Sequence, residues 1–217
     1  MSADPLKKYR RKRHLDRSPE PAGARKKRSG GPPIFVIHKH AASSLHYDFR
    51  LEADGVLKSW AVPKGPSTDP RERRLAVRTE DHPLQYADFE GVIPEGEYGA
   101  GTVMLWDIGP YRNIKEAGEG ADEPPSVARQ VEEGHVTIWL DGKKLRGGYA
   151  LTRMQMGGDG DNWLLVKMDD DEADARRNPV SAEPDSAKSG RTMEEIREQE
   201  QPASGGGAEG KEGKGKS

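Results

Sequence analysis

Leu45-His46-Tyr47-Asp48-Phe49-Arg50-Leu51 alternates apolar and polar residues without a break. A period of two marks a strand with one packed face. Side chains two apart on a strand share a face at a spacing of about 6.6 Å, so Leu45, Tyr47, Phe49 and Leu51 are expected to turn into a core while His46, Asp48 and Arg50 project together. His40 stands six residues before His46, with the small residues Ala41 to Ser44 between, and can fold back over the same face. Imidazole and carboxylate ligate a divalent cation at about 2 Å, and the guanidinium fork suits phosphate. Metal plus phosphate is the first reading. The plain alternative is a strand whose polar residues merely face water. The clustering favours function: His38, His40 and His46 are three of the six histidines, and Lys64, Arg74, Arg78, Glu80 and His82 follow soon after.

Working outward, Gly30-Gly31-Pro32-Pro33 breaks the chain before Ile34-Phe35-Val36-Ile37, the first strand. Asp54-Gly55 signals a hairpin from the 45–52 strand into Val56 to Val62. Further strands are expected over Leu75 to Thr79, Thr102 to Asp107, His135 to Leu140, Lys144 to Arg153 and Trp163 to Met168. Short strands between turn residues argue for an all-β fold, and a small closed or nearly closed β-barrel leaves no exposed edges. The stretch from Tyr111 to Gly134 reads as a variable loop with one helical turn near Val127 to Glu132, dispensable for chemistry.

The chain divides into a basic arm (1–31), the barrel (32–168) and a tail (169–217). Of its 217 residues 32% are hydrophobic and 33% charged, and the large apolar groups concentrate in the middle segment, so the ends are expected to be loose unless held. The arm carries 11 Lys and Arg against three Asp and Glu, while the other two segments are acidic. That asymmetry suits a polyanion, although a solvated arm or a sorting signal has the same charge. Within the tail, Thr192-Met-Glu-Glu195 fits a helix capping box, and Ser204 to Ser217 is a flexible low-complexity end. With no cysteine there is neither a disulfide framework nor a thiolate metal site. No apolar run reaches signal-peptide or membrane-span length, so a cytoplasmic, nucleoid-associated protein without a membrane partner is expected.

Glu80-Asp81-His82-Pro83 closes the fourth strand, where His82 can lean over the barrel mouth or Asp81 can simply stabilise a turn. Gly91 to Gly101 is glycine-rich but lacks the lysine and strand-to-helix setting of a nucleotide loop; it reads as a tight connection. Trp60, Trp106, Trp139 and Trp163 fall within strands and read as core rather than base-stacking platforms.

Taken together, His40-x5-His46-Tyr-Asp48-Phe-Arg50-Leu-Glu52, Leu57-Lys-Ser-Trp-Ala-Val-Pro-Lys-Gly65, Glu80-Asp-His-Pro83 and Phe89-Glu-Gly-Val-Ile-Pro-Glu-Gly-Glu-Tyr-Gly-Ala-Gly101 closely resemble the 3'-phosphoesterase module of bacterial and archaeal DNA ligase D. The resemblance runs from about Tyr9 to Met168, and a free-standing form without polymerase or ligase segments is expected. It implies a Mn²⁺ site on a concave barrel face that heals DNA or DNA/RNA primer-template 3' ends in break repair by end joining. It implies removal of a 3'-terminal ribonucleoside, then hydrolysis of the 3'-phosphate left behind, with a separate repair ligase and polymerase as partners. Position by position, His40, His46 and Asp48 match the metal ligands and Arg50 and His82 the residues holding the scissile phosphate. Lys64, Arg74, Glu80 and Tyr86 match further active-site positions, and in the arm Arg13 and Glu20 match phosphate-binding and supporting residues, so that part of the arm would be ordered over the site. His14 stands where the family commonly has aspartate, and His38 where some members have glutamine. A protonated His82 is a further candidate, as proton donor to the leaving oxygen.

Two rival readings use the same residues. His46, Asp48 and His82 imitate the two-His-one-carboxylate face of a non-haem Fe(II) oxygenase-like barrel. Alternatively the basic arm makes a non-catalytic DNA-end binding module, with the histidines idle. Neither accounts for cations and metal ligands together.

Overall fold

The computed structural model describes residues 4–23, 30–118, 122–155 and 161–200. Its strands are β1 (Ile34–Ala41), β2 (Leu45–Ala53), β3 (Val56–Val62), β4 (Arg73–Arg78), β5 (Gly91–Ile93), β6 (Gly101–Asn113), β7 (His135–Asp141), β8 (Arg146–Arg153) and β9 (Asn162–Lys167). The order β1-β2-β3-β4-β9-β8-β7-β6, with β6 returning to β1, makes a closed eight-stranded antiparallel barrel, and β5 pairs with β6 outside that circuit. Asp54 and Gly55 both take positive φ, at 52° and 77°, the conformation that a two-residue hairpin between twisted strands demands.

Tyr47, Phe49 and Leu51 enter the barrel with Trp60, Trp106 and Trp163, all essentially buried. Two of the core expectations shift. Leu45 is 51% exposed because it opens β2 opposite Ala41, the last residue of β1, beyond the packed layers. Trp139 is only half-buried, with Arg112 over its ring.

Strand β6 is twice the length its apolar run announces, because Gly109 and Pro110 do not end it. Its first part pairs with β1 and its last three residues with β7. A bulge sets Ile37 opposite Asp107 but His38 opposite Leu105, leaving Trp106 without a partner across the seam. Two glycines let neighbours press on this strand. A Cβ on Gly101 would lie 2.1 Å from the Ala41 carbonyl oxygen, and one on Gly109 2.2 Å from that of Asp141. The glycine-rich stretch read as a connection thus contains a short strand and a turn fitted tightly against β1.

A second apolar cluster lies on the outside of the barrel, where Val36, Leu57 and Leu105 meet Tyr9, Leu84, Tyr86 and Ala87. Tyr9 belongs to α1 (Lys7–Arg11), and the other three lie on a 3₁₀ turn, Leu84–Asp88. Leu6 and Tyr9 are fully buried and the Tyr9 hydroxyl donates to the Pro21 carbonyl at 2.8 Å, so residues 4–23 are docked. The 25–28 basic cluster lies outside the described residues. The expected turn near Val127 is α2 (Val127–Glu133), capped by Ser126 and closed by Gly134 in the left-handed region.

Residues 169–200, which composition had placed in the loose tail, lie against the barrel instead. They carry α3 (Pro179–Ala182) and α4 (Met193–Glu200). Ile196 is fully buried in the main core, and Val180 and Met193 pack beside it. The capping box forms: Glu195 N–H donates to Thr192 Oγ1 at 3.2 Å, and Thr192 N–H donates to Glu195 Oε2 at 2.8 Å. Ser204 to Ser217 lie outside the described residues. No helix among the described residues is long and apolar enough to cross a membrane.

Candidate active site

Pairing of β1 with β2 sets His40 directly opposite His46, with ring centroids 4.8 Å apart, and Asp48 follows two residues along the same face. One ligand atom from each of the three lies within 4.8 Å of the other two. The backbone decides which nitrogen each imidazole presents. His40 Nε2 is 2.8 Å from the Gly99 carbonyl, and His46 Nδ1 is 3.0 Å from that of Ser44. A carbonyl only accepts, so in the neutral rings those nitrogens carry the protons and the others bear lone pairs. The lone-pair nitrogens, His40 Nδ1 and His46 Nε2, sit 3.6 and 3.7 Å from the two Asp48 oxygens. Two lone pairs and a carboxylate converging with no proton between them is a donor set shaped for a cation, and the carbonyl contacts are the outer-shell bonds that orient metal-binding histidines.

Guanidinium groups border this trio. Arg50 donates from Nη2 to Asp48 Oδ2 at 3.1 Å, from Nη1 to Ser59 Oγ at 2.8 Å and from Nε to His38 Nδ1 at 3.3 Å, and lies over the Tyr86 ring. Arg13 reaches in from the arm: Nε donates to Glu20 and Nη1 to Glu80, each at 2.8 Å, while Nη2 is 3.1 Å from His82 Nε2. Arg13, Arg50, His82 and the trio share the walls of one cavity of about 310 Å³.

Electrostatics follow from burial and these neighbours. Burial works to raise the Asp48 carboxyl, but the Arg50 guanidinium, and the two imidazoles whenever they carry a proton toward it, outweigh it, leaving Asp48 far below the usual carboxylate range. Glu80 resolves the same way, burial being overcome by Lys12 and Arg13. Burial first, then the positive fields of Arg50 and Arg13, push His82 well below its ordinary value. His82 Nδ1 faces the Glu80 carbonyl at 2.9 Å, and Arg13 can only donate to Nε2, so hydrogen bonding also specifies a neutral ring. The expectation of a protonated His82 is not met: burial, Arg50 and Arg13 together favour the neutral ring. His38, wholly buried beside Arg50, is pushed down to about 3.

Eight of the residues singled out in the sequence thus converge at this cavity: His40, His46, Asp48, Arg50, Glu80, His82, Tyr86 and Arg13. Glu20 stands behind them, fully buried, accepting from Arg13 and from the Tyr86 hydroxyl at 3.2 Å. Lys64 and Arg74 do not join. Lys64 is exposed past the end of β3, and Arg74, on the strand that pairs with β9, is ion-paired to Glu72 in a separate cleft of about 110 Å³ with Arg177. Asp81 is held by Lys58 and Arg78 but makes no turn, because residues 79–82 run on beside β3, with Thr79 N–H donating to the Ser59 carbonyl and His82 bridged to Leu57; of the two readings of that tetrapeptide, the one that sends His82 to the cavity is met. Sequence reasoning missed Lys12 and Tyr98. Lys12 Nζ donates to Glu80 at 2.9 Å and to the Tyr98 hydroxyl at 3.0 Å. Both were visible, one inside the basic run and one inside the glycine-rich stretch, but nothing local marked either.

Residues 38–153 match the family model described as the DNA Ligase D 3'-phosphoesterase domain, which places the barrel among phosphoesterases, a class of hydrolases. The multifunctional non-homologous end joining protein LigD of Pseudomonas aeruginosa is 48% identical over 195 residues, spanning 88% of this chain and 22% of that protein. The multifunctional non-homologous end joining DNA repair protein LigD of Mycobacterium tuberculosis is 46% identical over 166 residues, 76% of this chain and 20% of that protein. The chain therefore spans about a fifth of the length of these curated relatives. It belongs to the DNA ligase D 3'-phosphoesterase domain family.

Proposed function

We propose that the barrel is a divalent-metal-dependent phosphoesterase that heals 3' ends of DNA or DNA/RNA primer-templates during break repair, acting as a 3'-phosphatase and removing 3'-terminal ribonucleosides. The observation that carries this reading is the pair of imidazole lone pairs aimed at Asp48 beside the Arg50 guanidinium. His40, His46 and Asp48 would hold the ion, Mn²⁺ in this reading, which when bound supplies Lewis acidity toward a phosphoryl oxygen and an acidified water.

The chain's own residues bind and orient the phosphate. Arg50 and Arg13 face the cavity from opposite attachments, one on β2 and one on the arm, and offset charge that grows on the phosphoryl oxygens. Neutral His82 lies between them, so a phosphate dianion entering there counters the field that keeps the ring unprotonated. Substrate would thereby make His82 a proton donor to the leaving oxygen. Tyr86 supports Arg50 from below and is tied to Glu20. Lys64 and Arg74 have a role only through nucleic acid extending past the mouth. A ligase and a polymerase that use the 3'-hydroxyl are the partners in this reading, in the cytoplasm at the nucleoid.

The oxygenase alternative is disfavoured because it needs His82 as a ligand, and both His82 nitrogens are engaged by Arg13 and the Glu80 carbonyl. The deciding experiment incubates the protein with a primer-template bearing a 3'-phosphate, with and without Mn²⁺, alongside His46→Ala. Phosphate release that needs both the metal and His46 is the expected result. DNA-end binding that survives His46→Ala, with no phosphate released, would leave only a non-catalytic binding module.

A further inference from the structure

Tyr98 is the one exposed Phe, Tyr or Trp among the described residues, 46% exposed, and it stands on the wall of the phosphate cavity. An aromatic ring left open to water forgoes a large gain from burial. Nor is Tyr98 at the tip of a floppy loop. Its turn runs from β5 to β6, with Glu97 N–H donating to the Pro94 carbonyl at 3.2 Å and Ala100 N–H to the Glu97 carbonyl at 3.1 Å. The next residue, Gly99, gives its carbonyl to His40. The ring is therefore fixed one residue from the contact that orients a metal-ligating imidazole.

Its neighbours polarise it. Lys12 Nζ lies 4.6 Å and the Arg13 guanidinium carbon 5.2 Å from the ring centroid, and the hydroxyl accepts from Lys12. A rigid, half-open aromatic ring flanked by cations that draw in phosphate is the combination that single-stranded nucleic-acid surfaces use, the cations tracking the backbone and the ring stacking on a base.

We propose that Tyr98 is the stacking platform for the nucleobase of the 3'-terminal nucleotide, the one whose 3'-phosphate enters the cavity. This rests on the phosphoesterase reading and deepens it: recognition is of any base rather than one, because every base offers a π face. The arrangement also separates tasks. Arg13, Arg50 and His82 hold the phosphate, and Tyr98 measures whether a base is attached beyond it.

The test is a binding measurement on the full chain, using a primer-template with 2-aminopurine as the 3'-phosphorylated terminal nucleotide and, in parallel, a primer ending in an abasic 3'-phosphorylated sugar. Wild type should quench the 2-aminopurine on binding. Tyr98→Ala should abolish the quenching and weaken binding of the base-containing end by about 5- to 150-fold, with little further loss on the abasic end. Tyr98→Phe, which keeps the ring but drops the Lys12 bond, should retain most of the quenching. Equal losses on both ends, or quenching that survives Tyr98→Ala, would overturn the proposal. If wild type quenches but releases no phosphate with Mn²⁺, stacking stands and the phosphoesterase reading falls; if it releases phosphate without quenching, the reverse holds.

Discussion

Arg13 Nη2 lies 3.1 Å from Nε2 of His82, joining the arm to the end of β4 across 69 positions of sequence. The arm is therefore one wall of the cavity rather than a tether beside it. Arg13 is also the cation between two carboxylates, its side chain 5% exposed and those of Glu20 and Glu80 0% and 3%. Removing it leaves the buried Glu20 carboxylate without a cation and Glu80 with Lys12 alone.

Arg13→Ala should accordingly destabilise the fold by about 3 to 5 kcal/mol, the usual result of removing one member of a buried ion pair. Arg13→Lys, which keeps charge without the planar fork, should fall between. Urea unfolding in the absence of metal measures both. An Arg13→Ala midpoint equal to wild type would mean the arm is not docked as described.

Metal binding and folding should separate at His46. Its side chain is 21% exposed and its neighbours survive its removal, so His46→Ala should stay within about 1 kcal/mol of wild-type stability. Its Mn²⁺ affinity by calorimetry should fall by more than the roughly 10- to 100-fold lost with outer-shell partners. Asp48→Asn should lose both, since Asp48 is also the Arg50 acceptor. Unchanged Mn²⁺ affinity in either variant would dissolve the proposed centre.

Acid should weaken the metal-free protein through two buried histidines. His82 and His38 are both held below their unfolded value of about 6.5, by burial first and by neighbouring arginine second. The unfolded chain takes up these protons and the folded chain does not, so this stability is complete above about pH 6.5 and declines toward the folded values. The slope is about 1.4 kcal/mol per pH unit for each histidine. His38→Gln, whose amide oxygen can still accept from Arg50, should remove about half of it. Thermal melts from about pH 7.5 to about pH 5 in chelator report the effect; a flat melting temperature would contradict neutral buried rings.

The segment after β9 should behave as part of the core. Ile196→Ala should cost about 2 to 5 kcal/mol, and Thr192→Ala about 1 kcal/mol through the lost cap. Denaturant midpoints decide; an Ile196→Ala protein as stable as wild type would mean α4 is not seated.

The barrel and its trio were legible in the sequence because strand periodicity writes them directly: alternation along β2 sets Tyr47, Phe49 and Leu51 inward and His46, Asp48 and Arg50 outward. What periodicity cannot express went unread. Residues 169–200 are polar overall and hold to the barrel through isolated anchors, Ile196 in the core and the Glu183 carbonyl receiving the Trp106 indole N–H, which no local pattern reveals. The protonation of His82 depends first on burial and then on Arg50 and Arg13, distant in sequence from it and from each other. Lys64 and Arg74 entered through nearness along the sequence and through resemblance, neither of which fixes where a side chain lies, and neither residue reaches the cavity.

Gly101 and Gly109 bracket the stretch of β6 that closes the circle of strands, and a neighbouring carbonyl occupies the place of each missing Cβ. The ring of staves is thus shut by omission. A single methyl at either position would wedge β6 away from its neighbour and, at Gly101, would shift the rim that carries Gly99 and with it the imidazole of His40. Chains descended from a common ancestor with this one should be free to vary the outer loops yet keep both positions bare, because the hoop and the rim beside His40 fail together there.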